Sequence, residues 1–332
     1  MQTRLTELLR ITQPVMLAGM GGVAYAELAA AVTNAGGIGT LGAAPLGDEA
    51  LVAEMRTVRS LTSGPFGVDL LTALPGDLTK KVELMIEAGA TLFVAALGVP
   101  SDVIELCHNN GVLVANMCGR VIHARRAVDA GCDLVIAQGT EAGGHTGQVA
   151  TFPLVPQVVD AVGEYVPVVA AGGIVDGRGL AAALALGADG VWVGTRFIAT
   201  PEARVVDGYH DALVRTGEDG TVISKAYSGK PMRVVANDYT RYFEQHPEEL
   251  APFPQQFGRS FGDNVLHLST GPDGTTLDTT RECYPAGQGT GSIHEVLPAA
   301  TVVTNMVSQA AAILERLGSA VAATQHDSTT SR

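Results

Sequence analysis

Over the first two-thirds of the chain, eight short and continuously apolar runs alternate with alanine-rich segments of helical periodicity. The β-rich runs are 15–18, 38–41, 66–71, 91–95, 112–117, 133–138, 166–171 and 190–194. The helical segments between them are 25–35, 48–60, 78–88, 101–109, 121–130, 156–162 and 177–186. Strands that are apolar throughout, not at every second residue, are buried on both faces, as in a parallel sheet covered by helices. Several helical segments stop in the same way, at Gly36, Gly89, Gly111, Gly131 and Gly187. Glycine takes the left-handed conformation that ends a helix at little cost. Eight such units predict an α/β fold of the (β/α)8 TIM-barrel type, with a doubly wound open sheet as the alternative.

Composition narrows the function. The 332 residues suffice for a barrel plus an insertion, and 46% hydrophobic with 17% charged residues describes a well-cored globular chain. The formal net charge of −13 argues against nucleic acid and anionic membranes as partners. A bound phosphate must then be held locally, by backbone amides and helix N-termini. Cys107, Cys118, Cys132 and Cys283 show neither C-x-x-C nor metal-ligand spacing, so free thiols and no metal site are expected. The first residues lack the apolar core of a secretion signal, and no 18-residue apolar run occurs. The expectation is a cytoplasmic protein with a small-molecule substrate, and a homodimer is compatible with it.

Two stretches carry the chemistry. IAQGTEAGGHTG, residues 136–147, ends a strand in a glycine-rich loop with one imidazole, His145. Such a strand end is where α/β proteins place catalytic groups. In residues 168–200, strands run into Gly172-Gly173 and Gly194-Thr195. Paired loops of this kind after the seventh and eighth strands hold phosphate on free amides, with the Thr195 hydroxyl adding a donor. Asp176 and Arg178 are expected to cap and brace the following helix.

After Thr200 the pattern changes. Residues 202–216 still have helical periodicity, and the barrel is taken as 1–216. Residues 217–291, rich in Pro, Gly, Tyr and Phe, are taken as a smaller irregular lid or substrate domain. Residues 292–318 are expected to form a C-terminal helix packing back on the barrel, and 319–332 a frayed polar tail.

Taken together, these segments resemble the nitronate monooxygenase family, formerly 2-nitropropane dioxygenases, which is related to FMN-dependent enoyl-ACP reductases of the second type and NADH:quinone reductases. The resemblance rests on PVMLAGMGGVAYAELAAAVTNAGGIGTLG near the start, GPFGVDLL, QGTEAGGHTG, AAGGIVDGRG, VGTRF and AGQGTGSIHEV. It implies FMN on a (β/α)8 barrel with a smaller domain over the active-site face. It places the flavin phosphate at Gly172, Gly173, Gly194 and Thr195, beside Trp192 and Val193. The ring edge would face Ala18, Gly19, Met20, Asp69 and Gln138, with Gly143 close by. His145 matches the family histidine assigned as base or substrate-orienting group. Many relatives carry Asn where this chain has Asp69, and an ionised Asp cannot donate to a flavin carbonyl.

The implied reaction is FMN-dependent oxidation of an alkyl nitronate by O2 to a carbonyl compound and nitrite. The alternative is an NAD(P)H-dependent reductase of an enoyl thioester or quinone, in which Lys225, Lys230, Arg233 and Arg241 would meet phosphate groups. No G-x-G-x-x-G follows a strand, so a Rossmann nicotinamide site is not indicated. A flavin-binding protein without catalysis is disfavoured by the intact EAGGH loop.

Overall fold

A computed structural model describes residues 1–72, 77–96, 100–267 and 277–329. Part of the lid segment expected around LSTGPDGTTLD and the last three tail residues lie outside these. The apolar runs form the expected barrel. Its strands are β1 (Val15–Leu17), β2 (Gly39–Gly42), β3 (Phe66–Leu71), β4 (Leu92–Ala96), β5 (Leu113–Cys118) and β6 (Leu134–Gln138). After the short strand β7 (Gly144–His145) come β8 (Val168–Ala171) and β9 (Gly190–Val193). All eight barrel strands pair in parallel, in the order β1-β9-β8-β6-β5-β4-β3-β2. Ile38 joins the two ends. Its N–H donates to the Val15 carbonyl at 3.1 Å, and its carbonyl accepts from Leu17 N–H at 2.9 Å.

Two apolar layers explain why the strands are apolar at every position. Met16, Ile38, Leu92, Val94, Leu134, Ile136, Val169 and Trp192 fill the barrel interior. The helix Arg4–Leu9 closes its lower end with Leu5 and Leu9. The alternate residues, such as Val15, Leu17, Val68, Phe93, Val135, Val168 and Val193, pack outward against the helices.

The region after the barrel is more regular than its sequence suggests. β10 (Thr221–Ser224) and β11 (Met232–Val235) form an antiparallel pair, and β7 adds to it as a third strand. Helices Asp238–Gln245 and Gln255–Gly262 complete a cap with its own core of Tyr227, Met232, Val234, Tyr239, Phe243, Val265 and Leu266. Inside this core Tyr227 stacks on Tyr239, and Phe243 meets Tyr239 edge-on, each pair with ring centroids 5.1 Å apart, and none of the three lines the cavity.

Three helix boundaries differ from expectation. Residues 202–216 hold only the helix Tyr209–Arg215, because Gly208 turns the chain at φ +78° just before it. The helix Thr151–Val162 begins well before Pro156, since the Glu141 carboxylate accepts from the Thr151 amide at 2.8 Å and caps its first turn. The C-terminal helix runs Ala299–Thr329, starting after Pro298 and continuing through the segment expected to fray. It crosses the helix Gly177–Ala185 so closely that a Cβ on Gly177 would lie 2.5 Å from the Ala310 nitrogen. Among the described residues no helix is long and apolar enough to cross a membrane.

Candidate active site

The C-terminal ends of the barrel strands open into one cavity of about 1730 Å³, roofed by the cap. Single ligand pockets usually measure roughly 300–1,000 Å³, so there is room for a cofactor and a substrate together. Ala18, Gly19, Met20, Asp69, Gln138, Gly143, His145, Gly172, Gly173, Trp192, Gly194 and Thr195 all line it. Val193 does not. Strand alternation turns its side chain to the helix layer, and its carbonyl accepts from Ala18 N–H at 2.9 Å.

The floor at β8 and β9 is an amide cradle. Gly172 and Gly173 take φ +104° and +72°, which only glycine adopts freely. A Cβ on Gly172 would meet the Thr151 hydroxyl at 2.7 Å. The amides of Gly173, Gly194 and Thr195 donate to no group among the described residues. The 3-10 turn Gln288–Ser292 completes the cradle from the far end of the sequence. Just before it, Gly287 N–H donates to Thr195 Oγ1 at 3.0 Å, which leaves the threonine proton free for a ligand. Asp176 Oδ1 accepts from the Arg178 amide at 2.8 Å and caps the next helix, as expected, while Arg178 braces Asp176.

One wall holds Asp69. Its side chain packs against Gly19, where an added Cβ would lie 2.2 Å from the Asp69 Cβ. Asp69 is 7% exposed, and its carboxyl makes no hydrogen bond to a described residue. Burial pushes its pKa up to about 8, so at neutral pH it is mostly the neutral acid and can donate a hydrogen bond.

His145 is fixed by two regions at once. Gly144 and His145 pair with Arg233 and Met232 of the cap. The Gln138 amide donates to the His145 carbonyl at 2.9 Å, and His145 Nε2 lies 2.9 Å from Ser228 Oγ. Within the glycine-rich loop, Gly144–His145 therefore forms a short strand. The ring is accessible from the cavity, yet the surrounding walls, and after them the charge of Lys230, lower its pKa below the usual value. A neutral imidazole at pH 7 follows.

The four cations considered for phosphate do not converge. Arg233 is buried, its Nε donating to the Thr140 carbonyl at 2.9 Å, and Arg241 pairs with Asp238. Lys225 is exposed and off the cavity, which leaves Lys230 on the lining. Sequence reasoning missed Ser228, Glu141 and the cavity positions of Arg120, His123 and Arg126. Ser228 had no local signal, because it meets His145 across 83 residues. The four cysteines are free and buried. On the outer cap surface His246, Glu248 and Glu249 bring ligand atoms within 4.8 Å of one another, outside the cavity lining.

A parallel eight-stranded barrel with a glycine cradle at its C-terminal mouth and a capped histidine defines a flavin-dependent oxidoreductase of the TIM-barrel class. The chain belongs to the nitronate monooxygenase family, whose model matches residues 2–78 and 73–309. A (3aS,4S,5R,7aS)-5-hydroxy-7a-methyl-1-oxo-octahydro-1H-indene-4-carboxyl-CoA dehydrogenase of Mycobacterium tuberculosis is 43% identical over 245 residues, 74% of this chain and 69% of the relative. A probable nitronate monooxygenase of Staphylococcus saprophyticus is 33% identical over 77% of this chain and 84% of its own length. Among solved structures, FabK from Thermotoga maritima superposes with a TM-score of 0.85 at 33% identity, covering 96% of this chain and 99% of that one. A nitroalkane oxidase from Streptomyces ansochromogenes gives 0.84 at 29% identity, over 95% and 100%.

Proposed function

We propose that the chain binds FMN and exchanges two electrons with the Cα–Cβ bond of a coenzyme A thioester, with His145 moving the proton at Cα. The observation that carries this reading is one cavity of about 1730 Å³ whose lining holds the amide cradle and His145 together with Arg120, His123 and Arg126. A nitronate of a few carbons needs neither that volume nor those cations. The 43% identity to a carboxyl-CoA dehydrogenase points the same way.

The residues fit the cofactor. The free amides of Gly173, Gly194 and Thr195 suit a phosphate, and the close-packed Gly19 wall suits a flat ring. FMN, when bound, would supply the two-electron chemistry. The protein's own part is orientation and proton transfer. Neutral His145, aimed by Ser228 and the β7–β11 pairing, takes the α-proton in dehydrogenation and returns it in reduction. Neutral Asp69 donates a hydrogen bond where an ionised carboxylate would repel electron density. In reduction a nicotinamide supplies the hydride added at Cβ and the proton adds at Cα. Dehydrogenation runs the same balance backwards.

The second reading is nitronate oxidation by O2, favoured by the matching family model. Anaerobic absorbance of the FMN-loaded protein separates the two. Bleaching by NADH or NADPH and recovery on adding crotonyl-CoA support the thioester reading. Bleaching by propyl-2-nitronate, with no response to crotonyl-CoA, replaces it with the nitronate reading.

A further inference from the structure

We infer that Arg120, His123 and Arg126 form an anion seat on the exposed wall of the cavity, which takes the phosphorylated nucleotide end of a coenzyme A ligand. The inference rests on the thioester reading and assigns the place where the substrate's handle is held. Arg120 occupies the position before the helix Val121–Asp129, and His123 and Arg126 follow at successive three-residue steps. His123 and Arg126 are neighbours one turn apart on the helix, Arg120 stands just before its first turn, and all three line the cavity that contains His145. The link between seat and site is direct. Gly119 approaches the loop that carries His145, and a Cβ there would stand 3.7 Å from Gly147 Cα.

Charge singles these residues out. The net charge is −13, and several arginines are tied to carboxylates, as at Arg4–Asp189, Arg178–Asp176, Arg204–Glu54 and Arg241–Asp238, while others without an ion pair, such as Arg10, Arg56 and Arg125, lie off the cavity lining. Arg120, His123 and Arg126 are exposed and form no ion pair with any described residue. Two unpaired guanidinium groups on a cavity rim present forked donors that match phosphate oxygens in pairs. In an acidic protein they also give the approaching polyanion one locally favourable entrance. The glycine cradle at Gly172–Gly173 and Gly194–Thr195 is already suited to the cofactor phosphate. The seat is a second phosphate site on another element, suited to a second ligand.

The test uses the FMN-loaded protein and the Arg120→Ala/Arg126→Ala variant. Calorimetric titration with coenzyme A itself should show binding to the parent protein, weakened about 10-fold or more in the variant and with a flatter salt dependence. FMN affinity should not change. With crotonyl-CoA the variant's KM should rise by a similar factor while kcat moves less than about 2-fold. With the crotonyl thioester of N-acetylcysteamine, which lacks the nucleotide, variant and parent should match. Arg120→Lys/Arg126→Lys, which keeps the charge, should recover part of the affinity. No binding of coenzyme A to the parent protein, equal binding to both proteins, or equal losses with both thioesters would overturn the seat. Arginine-dependent binding of coenzyme A without turnover of any thioester would support the seat and overturn the thioester reaction. Turnover with an arginine-independent KM would overturn the seat alone.

Discussion

The barrel and the cap hold the same cavity by different means. The barrel contributes backbone: glycine amides and close approaches, set by parallel strands whose register is fixed locally. The cap contributes side chains and an antiparallel strand pairing that reaches back over 80 residues to grip His145. The cradle is mostly barrel backbone, completed by the segment at Gly287, while the imidazole depends on a strand shared with the cap. Cofactor binding and turnover should therefore be separable by substitution.

The largest expected effect is His145→Ala. FMN should stay bound, and turnover should fall about 100- to 10,000-fold, the usual worth of a general base. Unchanged turnover in a steady-state assay would remove His145 from the chemistry. Gly172→Ala should do the reverse. A Cβ at φ +104°, facing the Thr151 hydroxyl at 2.7 Å, displaces the cradle. FMN affinity should fall roughly 10- to 100-fold, an estimate from the strain of a forced left-handed residue, read by flavin fluorescence titration. Loss of FMN with His145→Ala, or full retention with Gly172→Ala, would break the division between the two regions.

Asp69→Asn sharpens the barrel side. A carboxyl with a folded pKa of about 8 contributes its full stability below its unfolded value near 4 and loses it as pH rises through 8. The amide has no such penalty. The variant should match the parent in unfolding free energy near pH 4 and exceed it near pH 8 by on the order of a few kcal/mol, read from denaturant melts. Parallel stability curves across that range would show that Asp69 is ionised throughout.

The smallest effect tests the cap. Ser228→Ala removes the hydrogen-bond partner of His145 Nε2. Turnover should fall about 3- to 10-fold, the worth of one hydrogen bond, with FMN affinity unchanged. The acid limb of the pH–rate profile should lie below the usual histidine value, because enclosure and Lys230 both disfavour the imidazolium. Lys230→Ala should move that limb upward. A limb at or above the usual value in the parent protein would contradict the enclosed, neutral imidazole.

Much of the barrel side was legible in the sequence. Apolar runs, glycine helix stops and the GG and GT loops are short-range signals, because each βα unit is stabilised mainly by its neighbours. They located the amide cradle and the strand ends that carry Gln138, Gly172 and Gly194. Legibility failed wherever a contact spans distant segments. The strand identity of β7, the Ser228 contact, the capping of Thr151 by Glu141 and the third cradle segment at Gly287 all depend on a partner with no fixed offset in the chain. Val193 was misread for a simpler reason. Alternation along β9 turns Trp192 to the cavity and its neighbour to the helices.

The sequence by itself determined the barrel, its strand order of appearance and the residues that could surround a flavin, since periodicity and glycine placement act over a few residues. Only the tertiary structure decided that His145 sits in a strand shared with the cap and that Asp69 is buried without a partner. It likewise brought Arg120, His123 and Arg126 to the rim of the same cavity. Orientation, dielectric surroundings and shared walls are properties of the packed chain, and they arise only when segments far apart in sequence exclude water between them.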